Sequence, residues 1–283
     1  MSEIPTADQT IDGDRTTDPS TLPGSWPVGA VSAAWLNRER VPVTLGAMDD
    51  VYKLASVTKP LFAYALLIAS EEGTLPLDQP LGPPGATVAH VLAHASGLGP
   101  EEKDPSVTPG TRRIYSNAGF DLLGRALADA AQMPASEYLR EAVCEPLGMT
   151  STWLEGSPAH GAVSTVRDLT AFCREILQPT LLDPTTLDFA TQPFLPQLAG
   201  VLPGFGRQDP NPWGLGFELR GNKSPHWTGP AAPPTTFGHF GGAGTFFWIE
   251  PHGRRFAICL TDTPFGPWAA ERWPVFNEAI LHS

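Results

Sequence analysis

Residues 54–67 read LASVTKPLFAYALL and place one serine and one lysine three positions apart at the mouth of an otherwise apolar segment. The run from Pro60 onward has the three-to-four spacing of a helix. If that helix begins near Ser56, residues three apart lie one above the other on a single face, and the side chains of Ser56 and Lys59 meet. A serine hydroxyl is a weak nucleophile until its proton has an acceptor, and a helix N-terminus adds an accessible position with free N–H groups. Lysine accepts that proton only where burial or neighbouring positive charge lowers its pKa, and an apolar helix supplies burial. An N-cap serine beside a snorkelling lysine fits the same residues, so the pair alone leaves both readings open.

Working outward, Val28 to Leu36 and Val41 to Ala47 alternate like strands around the loop NRER. Helical periodicity then dominates: PLFAYALLIASEEG, TVAHVLAHAS, NAGFDLLGRALADAAQ, ASEYLREAVCEPLG and TVRDLTAFCREILQ. Ser136 and Thr165 read as helix starts and Gly73 as a stop. Residues 178–235 are rich in Pro, Gly and aromatics and predict long ordered loops with one strand near GLGFELR. GTFFWIEP and RRFAICLTD then flank a turn, HG, and WAAERWPVFNEAIL closes the chain as an amphipathic helix. This order predicts an α/β (α+β) fold. N- and C-terminal segments form one antiparallel sheet flanked by helices, an all-helical lobe is inserted between them, and a cleft lies between the lobes. The expected boundaries are a loosely attached arm over 1–24, a sheet lobe over 25–58 and 225–283, and a mainly helical lobe over 59–224.

The 283 residues are 41% hydrophobic, enough for a full core, and carry a net charge of −12 with scattered basic residues. That charge excludes a nucleic-acid or anionic-lipid footprint and leaves a small molecule as the expected partner. The polar, acidic N-terminus lacks the pattern of a secretory signal, and the longest apolar run, Leu61 to Ala69, is too short to span a bilayer. A cytoplasmic protein with no membrane contact is expected. Cys144, Cys173 and Cys259 lack metal-site spacing and read as buried reduced thiols. His90 and His94 have no evident third ligand and read as structural, so no metal is expected.

Two further stretches carry chemistry. YSN, residues 115–117, offers a turn-borne phenol able to relay a proton and an amide able to hold a carbonyl; near a cationic lysine the phenol would titrate lower and serve as a base. Taken alone, a core Tyr115 with a bonded hydroxyl and an N-cap Asn117 are the commoner reading of these residues. GHFGGAGTFFWIEP, residues 238–251, has glycines ahead of a strand, a pattern of close backbone approach by a ligand or of an ordinary turn. NPWGLGF and Trp227 read either as cleft lining or as packing, and Arg167 and Asp168 as a helix start in the scaffold.

The order SxxK (Ser56, Lys59), YSN (Tyr115, Asn117), then His-x-Gly (His239, Gly241) resembles the penicillin-recognising serine hydrolases, in the branch of class C β-lactamases, family VIII carboxylesterases and D,D-peptidases. HVLAHASGL (90–98), PGTRRIYSNAGFDLLG (109–124), EPLGM (145–149) and GAVSTVRDL (161–169) are similar to that branch too. The resemblance implies a β-lactamase/transpeptidase-like fold with Ser56 as the acylated nucleophile and Lys59 and Tyr115 as its proton relay. Asn117, His239, Phe240, Gly241 and Gly242 would bind substrate, with the N–H groups of Ser56 and Gly242 as the oxyanion hole. It implies no metal or organic cofactor and a small ester or amide substrate.

One departure bears on substrate. Phe240 stands where β-lactamases and D,D-peptidases of this group usually have a threonine or serine that helps bind a carboxylate. A phenylalanine supplies no donor, and His239 is mostly neutral at pH 7 unless its surroundings intervene. The expectation is therefore a carboxylesterase acting through an acyl-enzyme on uncharged esters. A β-lactamase or D-Ala-D-Ala-type peptidase is the alternative, and a non-catalytic binding protein of the same fold a third. The chain is also short for this branch, which implies a more open site.

Overall fold

The structure, a computed structural model, describes residues 17–102, 104 and 106–283. Residues 1–16 of the expected arm lie outside that description. The rest of it is packed rather than loose: Pro19–Ser25 form a 3-10 turn capped by the Asp18 carboxylate, which accepts from the Ser20 N–H, and Pro19 and Pro23 are buried. Trp26 follows and meets Phe276 edge-on at 5.2 Å.

The chain then runs β1 (Val31–Leu36), β2 (Pro42–Leu45), β3 (Tyr52–Lys53), α1 (Thr58–Glu71), α2 (Val88–Leu92), α3 (Asn117–Ala131) and α4 (Ala135–Leu139). β4 (Trp153–Leu154), β5 (Ala162–Ser164), α5 (Val166–Leu177) and α6 (Pro184–Ala190) follow. The last part comprises β6 (Gly200–Leu202), β7 (Gly206–Gln208), β8 (Glu218–Leu219), β9 (Phe237–Gly241), β10 (Thr245–Glu250), β11 (Arg255–Thr261) and α7 (Pro267–His282). Six strands make one antiparallel sheet in the order β2-β1-β11-β10-β9-β8, so the expected union of the two chain ends is present: Ala33 pairs with Cys259 and Trp35 with Ala257. Every residue of β10 and β11 is buried, as central strands covered on both faces require. Alternation sends Phe247, Ile249, Phe256, Ile258 and Leu260 toward α1 and α5, and Phe246, Trp248, Ala257 and Cys259 toward α7.

Helix α1 is buried from Thr58 to Ala69 because it is apolar on every face and lies between the sheet and the helical lobe. That places Lys59, its one basic residue, inside the protein. The other helices depart from expectation in local ways. α2 stops at Leu92, and His94 adopts a left-handed φ of 54°, so the predicted longer helix is cut short as the chain turns toward the YSN segment. α4 begins before Ser136 and has no side-chain cap, continuing as a π-helical turn over Arg140–Cys144; Thr165, by contrast, does cap α5 by accepting from the Asp168 N–H. The segment expected to be loops with one strand also holds α6, started by an Asp183 cap and Pro184, and the β6–β7 hairpin. Among the described residues no helix is long and apolar enough to cross a membrane, and all three cysteines are free and buried.

One buried amide joins α7 to the sheet. Asn277 accepts from the Trp248 indole N–H at 2.9 Å and donates to the Trp227 carbonyl at 3.0 Å. Asn277→Ala leaves both partners unpaired in the core, and its expected cost is about 2–4 kcal/mol in a denaturant titration; a loss below ~1 kcal/mol contradicts this role.

Candidate active site

The segment before α1 is clamped from two sides. The Leu54 N–H donates to the Ala162 carbonyl at 2.9 Å, and the Leu54 carbonyl accepts from the Thr245 hydroxyl at 2.8 Å. Between them Ala55 holds a φ of 46°, which a residue with a Cβ rarely adopts, and the chain enters the helix through a 3-10 turn, Ala55–Val57. Ser56 is thereby presented half-exposed at the mouth of α1.

Lys59 is fully buried below it. Its Nζ donates to Ser56 Oγ at 3.3 Å, Asn117 Oδ1 at 2.9 Å and the Ala159 carbonyl at 2.8 Å, and it lies 4.6 Å from the centre of the Tyr115 ring. Burial lowers its pKa from the ordinary 10.5 to about 7, against the opposing pull of the Asp121 and Glu101 carboxylates. The amine is thus in the range where a proton acceptor operates at neutral pH.

Tyr115 and Asn117 reach the lysine because of what lies between them. Ser116, not Asn117, caps α3: its hydroxyl accepts from the Gly119 N–H at 2.9 Å and donates to the Gly99 carbonyl at 2.6 Å. The Asn117 amide is left to accept from Lys59 and to donate to Glu101 Oε1 at 3.2 Å. Behind this turn the buried Arg113 donates to the carbonyls of Ala93, Asn211, Phe194 and Leu195, tying three loops together. Burial raises the Tyr115 phenol pKa well above the ordinary value, against a smaller lowering contribution from Ser56. The expected lowering beside Lys59 is therefore corrected: burial penalises the phenolate, and the shift runs upward. The phenol stays protonated.

At the far wall, β9 brings His239, Phe240 and Gly241 alongside. The His239 Nδ1–H donates to the Phe240 carbonyl at 2.6 Å, and burial lowers the imidazole pKa to about 3, so His239 carries no positive charge at neutral pH. A Cβ on Gly241 would stand 2.2 Å from the Leu54 carbonyl and 3.2 Å from the Ser56 nitrogen; only glycine lets this strand approach the serine. Gly242 is exposed, with open space about it, and its N–H meets no acceptor among the described residues.

A cavity of about 210 Å³ opens beside Ser56, lined among others by Tyr115, Trp213, Phe240, Leu202, Pro203 and Phe265. Asn117 and Gly241 are not part of its lining. Sequence reading missed Leu202, Pro203 and Phe265, which come from distant loops with no local motif. It also missed the buried Glu218 at the cavity edge, held by Lys223, by His226 at 3.0 Å and by the Trp227 indole at 2.8 Å. His90 bonds Thr87 while His94 accepts from the Ser116 N–H and packs on Tyr115 and Trp213, so the two rings face different partners. Trp227 packs near Phe240, and Asp168 accepts from Ser151 and Thr152 in the scaffold.

Known proteins share this arrangement of elements. A structure of a beta-lactamase (Mb2281c) from Mycobacterium bovis superposes with a TM-score of 0.90 at 47% identity, covering 93% of this chain and 98% of that one. A D-stereospecific amidohydrolase from Streptomyces sp. has a TM-score of 0.73 at 21% identity, covering 96% and 100%, and shares the fold. The D-alanyl-D-alanine-carboxypeptidase/endopeptidase AmpH of Escherichia coli (strain K12) is 29% identical over 148 residues, 39% of this chain and 38% of that protein. Esterase EstB of Burkholderia gladioli is 26% identical over 147 residues, 36% and 38% respectively. The aligned region thus spans under two-fifths of either protein's length. Residues 28–279 match the family described as Beta-lactamase, and a match of that extent, with the Mycobacterium bovis likeness over nearly the whole chain, means that the chain belongs to the β-lactamase family of serine hydrolases.

Proposed function

We propose that the protein is a carboxylesterase that works through an acyl-enzyme on Ser56. Lys59, neutral above its pKa, takes the Ser56 proton directly or through the Tyr115 hydroxyl as Oγ attacks the ester carbonyl. The oxyanion is met by the N–H groups of Ser56 and Gly242. Collapse of the tetrahedral adduct releases the alcohol, which receives the proton back from Lys59. Water then attacks the acyl-serine, giving its proton to the same amine, and the acid leaves as Ser56 is reprotonated. Asn117 holds Lys59 in place and turns its amide toward the substrate side.

The preference for uncharged esters rests on one observation: among the described residues, the cations around the cavity are all engaged or neutral. Lys59 has three acceptors, Arg113 four carbonyls, and Lys223 bonds Glu218 and the Pro212 carbonyl. His239 is neutral and Phe240 has no donor. A substrate carboxylate here would lose its hydration without gaining a partner. The second reading, hydrolysis of β-lactams or D-alanyl peptides, is favoured by the names of the Mycobacterium bovis and AmpH relatives. With three free buried thiols, we also propose that the protein works in a reducing compartment.

Intact-mass measurement during turnover, with a p-nitrophenyl ester and a chromogenic cephalosporin, tests the reading. An acyl adduct that forms and decays with the ester, is absent in Ser56→Ala, and accompanies a kcat/KM at least about a hundredfold above that for the cephalosporin supports the esterase. Comparable values for the two substrates support the second reading.

The pH dependence follows from Lys59. Because its folded pKa is lowered, the amine is protonated and inactive below about pH 7 and becomes competent above it, so kcat/KM rises through pH ~7. Asp121 holds that pKa up, so Asp121→Asn is expected to move the limb to lower pH. A pH–rate profile with no limb near 7, or one moved upward in Asp121→Asn, contradicts this assignment.

A further inference from the structure

The outer side of the cavity is closed by two segments that meet. The β6–β7 hairpin turns through Pro203 and Gly204, and the loop after β11 brings in Phe265. Gly204 has a φ of 76°, and a Cβ there would stand 2.6 Å from Phe265 Cε1, so the hairpin backbone lies directly on the ring. Phe265 in turn packs on Phe240 at 5.0 Å and Trp273 at 5.3 Å, and its N–H donates to the Gly242 carbonyl at 3.0 Å. One residue therefore forms the cavity wall and ties down the backbone that carries the candidate oxyanion donor.

Resting on the reading of Ser56 as nucleophile, we infer that this cavity receives the acyl portion of the substrate, takes an uncharged apolar group of about benzoyl size, and has its upper limit set by Phe265 against Gly204. The size follows from volume: an apolar cavity of about 150 Å³ suffices for benzene, and this one has about 210 Å³. The apolar character follows from Leu202, Pro203, Trp213, Phe240 and Phe265. The one carboxylate at the edge, Glu218, is already bonded by Lys223, His226 and Trp227. The assignment to the acyl side follows from what each half of an ester must do. The alcohol leaves into water, which suits the polar side where Asn117 meets the exposed Glu101. The acyl group stays on the serine until water attacks and gains from an apolar enclosure.

The test is a matrix of kcat/KM values for p-nitrophenyl esters from acetate to decanoate plus benzoate, and for butyrate esters of a range of alcohols, in the native protein, Phe265→Ala, Phe265→Trp and Ser56→Ala. The native protein is expected to favour butyrate to hexanoate and benzoate and to fall at least about tenfold by decanoate. Phe265→Ala is expected to raise the decanoate-to-butyrate ratio about tenfold or more, and Phe265→Trp to lower it, so the two variants move in opposite directions. Ser56-dependent turnover whose acyl profile is unchanged in both variants overturns this inference alone, as does a profile in which Phe265 governs the alcohol instead. Ester turnover retained in Ser56→Ala overturns the nucleophile reading and this inference with it.

Discussion

The burial of one amine organises this molecule. Lys59 sits at the start of a helix that is apolar on every face and enclosed by a sheet and a helical lobe, so its side chain is fully buried. An ammonium there forfeits hydration, and the fold answers with three acceptors from three parts of the chain: Ser56 on the entry turn, Asn117 at the head of α3 and the Ala159 carbonyl before β5. Those partners locate the nitrogen but do not restore what water supplied, so the proton is held weakly. The group least at home in the core is thereby suited to the role proposed for it, base to Ser56, at a cost to stability on the order of a few kcal/mol.

The same enclosure shapes the rest of the site. Because desolvation acts on every titratable group alike, it pushes the Tyr115 phenol up and the His239 imidazole down, and both stay neutral. A site built this way places one titration near neutrality at Lys59, and its walls are neutral apart from Glu218, whose carboxylate is paired with Lys223. The aromatic cluster that forms those walls, with Phe240 against Phe205, Phe265, Trp227 and Trp273, continues the core beneath α7. The proposed substrate preference and the packing of the core therefore rest on the same side chains.

Much of this was legible in the sequence. The strand–helices–strand–helix order and the alternation in GTFFWIEP and RRFAICLTD carried the sheet and its joined termini, because central strands and an all-apolar helix leave a periodicity signal that survives without coordinates. The Ser56–Lys59 spacing carried their contact. What was not legible depends on tertiary context. Whether Tyr115 titrates up or down is decided by its burial, and nothing in YSN encodes that burial. Ser116 rather than Asn117 takes the cap because Asn117 is drawn to Lys59. The early end of α2 at Leu92 follows from the turn at His94, whose carbonyl accepts from the Ile114 N–H. The cavity wall from Leu202, Pro203 and Phe265 comes from loops with no period of their own. The start of α6 is legible, by contrast, since Asp183 and Pro184 are a capping carboxylate and a proline at the first helical position.

The proposed acylation of Ser56 turns on the protonation of a single nitrogen, and that can be observed directly. A carbon-13 NMR titration of Lys59 Cε in protein labelled at lysine, assigned by comparison with Lys59→Arg, follows that nitrogen from pH 5 to pH 11. A midpoint near 7 is predicted, with the neutral amine accumulating above it. A midpoint near the ordinary lysine value of 10.5 would mean that the ammonium is fully accommodated in the core, and that Ser56 has no base of the kind described here.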